Sequence, residues 1–136
     1  METITIDDLA ESMVSGDELL IVKLDVEGME IEALKGASRS LSRAAVVMYE
    51  DHGSDSESRV TRFVLEELGL KIFFWNSGRG FVAVEDLKAA CDLKTRSNKG
   101  YNFFAVSPAA EPHFFWAFGK RIATDLTAPR GCRPVG

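Results

Sequence analysis

"LLIVKLDVEGMEIEALKGA", residues Leu19–Ala37, decides how the rest of the chain is read. Leu19 to Leu24 is almost continuously apolar, as expected for a parallel strand covered on both faces. Asp25, Glu27 and Gly28 end that run. Beyond them Ile31, Leu34, Ala37 and Leu41 recur at helical spacing, while Glu30, Glu32, Lys35 and Arg39 point elsewhere. The stretch is therefore a buried strand that releases two acids and a glycine and turns into a helix.

Upstream, "TITIDDLAESM" reads as a short strand-like piece, Thr3 to Ile6, and a short helix that Asp7 or Asp8 can cap. Downstream, "AAVVMYE", Ala44 to Glu50, is a second buried strand, ending in the acidic "EDHG". Val60, Phe63, Val64, Leu65 and Leu68 then follow a helical pattern that Gly69 stops. Leu70 to Trp75 is a third strand and "NSGRG" a turn. "FVAVEDLKAA" reads as a short strand and a helical turn or two. Tyr101 to Pro108 is the last strand. This alternation predicts an α/β layer fold with a mainly parallel sheet and flanking helices. One domain over residues 1–108 is expected, followed by a poorly ordered tail, 109–136, in which "HFFWAFG" is aromatic and "TAPRGCRPVG" irregular.

The chain has 136 residues, enough for one domain with a real core. Its net charge of −5 argues against a nucleic-acid backbone as the main partner. No apolar run reaches the roughly 20 residues that span a bilayer. No signal-peptide pattern is visible at the N-terminus, so a cytoplasmic location is the default expectation. Cys91 and Cys132 have neither metal-ligand spacing nor a disulfide framework.

In open α/β sheets, ligands bind outside the carboxyl ends of the strands. Asp25 and Glu27 lie at one such end; Glu50, Asp51 and His52 lie at the next. If the two strands are neighbours, these side chains line one crevice. It could attract a cationic cofactor, orient a hydroxyl or take its proton. The competing reading is structural, because acids at a helix start cap free amides and suit the helix dipole. His52 is either a catalytic base or incidental. Gly78, Gly80 and Ala83 match a dinucleotide fingerprint, but no acid follows about 20 positions on, and a hairpin turn accounts for them better. No P-loop, nucleophile motif or His/Cys metal cluster is present.

"VKLDVEGMEIEALKGA" resembles the central motif of the FkbM-type S-adenosylmethionine-dependent methyltransferases, a strand running into D-x-E-G-x-E and a helix carrying L-x-G-A. "TITIDDLAE" is similar to the segment before it, and "VVMYEDHG" to the next strand with its terminal glutamate. "LKIFFWNSGRGF" and "YNFFAVSP" resemble the closing pair of strands. The resemblance covers about Thr3 to Pro108. It implies the C-terminal half of a Rossmann-like methyltransferase sheet whose last two strands form an antiparallel pair. It also implies O-methylation of a small-molecule, sugar or lipid-like acceptor, with S-adenosylmethionine as methyl donor.

On this resemblance Asp25 is the first candidate for contact with the cofactor's methionine end or the acceptor. Glu27 and Glu50 come second, and His52 is a candidate base. The family's glycine-containing cofactor loop and ribose-binding acid lie upstream of D-x-E-G, and only residues 1–24 precede Asp25 here. The expectation is therefore a chain that is inactive or weak alone. Its first strand would present an open apolar edge, covered by a second copy or a partner chain. A non-catalytic binding or assembly module is the alternative, and a metal-assisted hydrolase using the acid crevice is a third reading.

Overall fold

The computed structural model describes residues 3–119 and 122–123. One mixed sheet runs through it, in the order β1-β2-β5-β3-β4-β6. The strands are β1 (Leu20–Lys23), β2 (Ala45–His52), β3 (Lys71–Asn76), β4 (Gly80–Val84), β5 (Gly100–Val106) and the two-residue β6 (Ile122–Ala123). Helices are α1 (Ile6–Met13), α2 (Glu30–Lys35), α3 (Ser38–Leu41), α4 (Arg59–Arg62), α5 (Leu87–Leu93) and α6 (Glu111–Phe118). No helix among the described residues is long and apolar enough to cross a membrane.

The α/β architecture is as expected, but the sheet is not mainly parallel. β1 and β2 pair in parallel. β5 then inserts antiparallel between β2 and β3, and β4 folds back antiparallel on β3. The cause is the short turn after Trp75. Three residues between Asn76 and Gly80 permit only a hairpin, because a parallel return needs a dozen or more. Gly80 takes φ +83° to close it. The hairpin reading of "NSGRG" therefore holds, and the dinucleotide fingerprint does not.

Several local expectations shift. Residues 3–5 form no strand, and Thr5 rather than Asp7 or Asp8 caps α1, its side chain accepting from the Asp8 amide. The helix after His52 is one α turn followed by a π turn, Phe63–Glu67, which the Leu68 amide closes onto the Phe63 carbonyl at 3.1 Å. Gly69, at φ +61°, ends it.

Two apolar layers sandwich the sheet. On one face Leu34, Leu41 and Val64 pack on Val47, Tyr49, Ile72 and Phe103. On the other, Val46, Phe73, Phe81 and Val106 pack beneath Phe114 of α6. Structure thus continues past Pro108: α6 belongs to the core, and its aromatic residues cover β3, β4 and β5 rather than the open edge. Residues 124–136 of the expected tail lie outside the described residues. β1 is the edge strand, and it is not covered on both faces. Leu20 and Val22 face the first layer, while Ile21 is 72% exposed, with no helix over it among the described residues.

Candidate active site

The site grows from two strand ends that the parallel β1–β2 ladder holds in register, Lys23 beside Met48. The Leu24 amide donates to the Met48 carbonyl at 2.8 Å, so the chain leaves β1 alongside β2. It then bends through two consecutive left-handed residues, Glu27 at φ +36° and Gly28 at φ +88°. Gly28 adopts this without cost, but Glu27 is strained by of order 1–3 kcal/mol. Glu30, only 7% exposed, ties the turn by accepting from the Gly28 amide at 3.2 Å. No side chain caps α2. The capping account of Asp25 and Glu27 therefore does not hold.

β2 runs on to His52, past the end of β1. Its last residues pair with β5, Glu50 with Asn102 and His52 with Gly100. Gly100 carries no side chain, and the Glu50 carboxylate lies where a Cβ would be.

Between the two strand ends lies an open crevice of about 500 Å³. Glu27 and Glu30 line it from the β1 side, Glu50 and His52 from the β2 side, and Asp55 and Arg59 from the next loop and α4. The strands are neighbours, so three of the four site candidates, Glu27, Glu50 and His52, meet in one place. Asp25 does not join them. Its carboxylate turns to Lys23, Oδ2 to Nζ 2.8 Å, and this hydrogen bond holds its pKa below the usual aspartate range.

The charges sort clearly. The buried Asp51 carboxylate is paired with Lys94 at 2.8 Å. Asp55 is paired with Arg59 at 3.2 Å and accepts from the amides of Glu57 and Arg59. Burial alone would raise the Asp55 pKa, but the Arg59 amide and side chain and the Glu57 amide outweigh it, and the pKa is lowered. Among the described residues Glu27, Glu30 and Glu50 form no salt bridge. They leave the crevice net negative, suited to a cationic group and to hydroxyl donors.

His52 faces this cluster in a defined tautomer. Its Nδ1 accepts from the Ser54 amide at 3.2 Å and lies 2.7 Å from the Ser54 hydroxyl. An amide can only donate, so the neutral ring carries its proton on Nε2. The free ring nitrogen is therefore an N–H donor, and the proton-accepting lone pairs belong to the glutamates. Among the described residues no three His, Cys, Asp or Glu side chains are grouped to hold a metal ion.

Sequence reasoning did not find Asp55, Arg59 or Lys94, and it read Glu30, which is buried and lines the crevice, as a solvated helix residue. Asp55 and Arg59 sit at i, i+4 spacing, a visible signal. Lys94 reaches Asp51 across 43 positions, and no local pattern announces it.

Residues 1–82 match the family model described as the methyltransferase FkbM domain. The match includes both strand ends and every crevice residue named above; Lys94 and β5, which carried part of the resemblance, lie outside it. No curated protein and no solved structure gives a significant match.

Proposed function

The chain belongs to the FkbM methyltransferase domain family, and on that premise we propose that the crevice between β1 and β2 is its methyl-transfer site. The donor is S-adenosylmethionine, and the acceptor is a hydroxyl on a small molecule, sugar or lipid-like compound. The observation that carries the reading is the meeting of Glu27 and Glu50 across one crevice. They come from neighbouring parallel strand ends, where α/β sheets bind ligands. The insertion of antiparallel β5 between β2 and β3 supports a Rossmann-like methyltransferase sheet.

S-adenosylmethionine, when bound, supplies an electrophilic methyl group on a sulfonium centre. The chain's own residues then have three tasks. Unpaired carboxylates at Glu27, Glu30 and Glu50 favour a cation in the crevice. Glu27 or Glu50 would accept the proton that the acceptor hydroxyl gives up when its oxygen takes the methyl group, sulfur keeping the carbon–sulfur bonding pair and leaving as S-adenosylhomocysteine. The Nε2 hydrogen of His52 orients the acceptor or the donor's carboxylate. Most of the rate gain is positioning, because in-line displacement needs the reacting atoms held in line at near contact. Asp25 would join only by releasing Lys23.

We further propose that the open edge of β1 is covered in use, by a second copy or a partner chain. The test of function is affinity for S-adenosylmethionine in the wild type against Glu50→Gln. Equal affinities would remove Glu50 from the site.

A further inference from the structure

Lys94 is the least expected charged group in the molecule. It closes α5, in a part of the chain beyond the family match, yet its side chain is 3% exposed. An ammonium has three N–H groups to satisfy. All three find acceptors here: Asp51 Oδ1 at 2.8 Å, the Asp55 carbonyl at 2.6 Å and the His52 carbonyl at 3.3 Å. Asp51, 1% exposed, uses its other oxygen to accept from the Thr61 hydroxyl at 2.6 Å. Thr61 Oγ1 in turn lies 3.1 Å from the buried Tyr49 hydroxyl.

The network ties α5 to the end of β2, the loop after it and α4, and these last three form one wall of the crevice. His52 and Asp55 hang directly on the ammonium by their carbonyls, and Arg59 hangs on Asp55. The backbone fits closely beside it: a Cβ on Gly53 would lie 1.9 Å from the Arg96 carbonyl oxygen. A buried ion pair is a poor choice for stability alone, since apolar residues of similar volume usually do as well or better. A fully satisfied polar network does something else, fixing one arrangement of the groups it joins.

We propose that Lys94 is a positioning residue of the crevice, holding His52 and the Asp55–Arg59 pair opposite Glu27 and Glu50. The inference rests on the crevice being the methyl-transfer site. Arginine is no substitute, because its planar fork cannot direct three donors from one nitrogen at these three acceptors.

The test uses the full chain with Lys94→Arg, Lys94→Met and the double variant Lys94→Met/Asp51→Leu, which leaves no unpaired buried charge if the single variants fail to fold. Amide exchange at residues 53–58 and calorimetric titration with S-adenosylhomocysteine are measured on folded samples. The expected result is at least tenfold faster exchange in that loop for the double variant, at least tenfold weaker binding, and no rescue by arginine. A lowered Tm with wild-type loop exchange and wild-type affinity would make Lys94 a stabilising residue only and overturn the proposal. If the wild type binds no S-adenosylhomocysteine, the methyl-transfer reading fails, and the exchange result alone then decides whether Lys94 holds the wall.

Discussion

The Lys23 ammonium lies 2.8 Å from Asp25 Oδ2, a closed surface pair that leaves Glu27, two residues on, to face the crevice. Both partners are more than half exposed, so solvent screens the pair and it adds little to stability. Asp25→Asn is expected to change affinity for S-adenosylmethionine by less than about threefold. Glu27→Gln removes a crevice carboxylate and is expected to weaken it by about tenfold, the size of one charge-assisted hydrogen bond. Calorimetric titration of both variants checks the contrast, and the reverse order would return Asp25 to the site.

Asp7 locks α1 to α3. Its carboxylate accepts from the Ser40 amide and hydroxyl, each at 2.7 Å, and from the Arg39 amide at 3.0 Å. Burial pushes its pKa up, but these bonds outweigh burial, and the value falls below the ordinary 3.8. A lowered carboxylate pKa contributes stability that is complete above the unfolded value and lost as pH falls through the folded one. Asp7→Ala should cost about 2–4 kcal/mol at pH 7. That difference should shrink steadily as pH falls below the ordinary aspartate range. Denaturant titrations at pH 7 and at successively lower pH measure it; a pH-independent difference would show that the carboxylate's charge is not what stabilises.

Gly53 sits where the loop after β2 meets the segment before β5, its amide donating to the Lys99 carbonyl at 2.8 Å. An added Cβ would strike the Arg96 backbone, which cannot swing aside as a side chain would. Gly53→Ala is expected to destabilise by about 3 kcal/mol. Thermal melts test this, and an unchanged Tm would mean the loop has room to move.

The exposed edge predicts self-association. Ile21 is 72% exposed on a strand that, among the described residues, is paired on one side only, and Leu19, Val26 and Met29 are exposed as well. Such an edge templates pairing with another chain. The wild type should associate with rising concentration in light scattering, and Ile21→Lys should reduce this. A monomer at high concentration in both would leave the edge without a partner.

The sequence carried the β–α–β–α–β order and the acid-bearing strand ends because both are local signals: apolar runs, helical spacing and turn residues. Neighbouring β1 and β2 follow from a helical connection too long for a hairpin. The insertion of β5 between β2 and β3 was not legible, since pairing order depends on contacts such as Tyr49 with Phe103, far apart in the chain. The exposed face of β1 was misread for a related reason: an apolar run looks the same whether or not a helix covers it. Phe114 and Phe118 gave a composition signal, but their place over Phe81 comes from tertiary packing. Of the site's acids Glu27, Glu50 and Asp51 were visible, Glu30 and Asp55 were not, and neither was the division into paired and unpaired. That division is set by Lys94 and Arg59 arriving from other elements.

The central claim is that the β1–β2 crevice takes S-adenosylmethionine through its unpaired glutamates. Calorimetric titration of the purified chain with S-adenosylmethionine, beside Glu50→Gln, tests it most directly. The account predicts micromolar binding by the wild type and a loss of about tenfold or more in the variant. A folded wild-type chain that binds no S-adenosylmethionine would contradict it and leave a binding module built on a methyltransferase sheet.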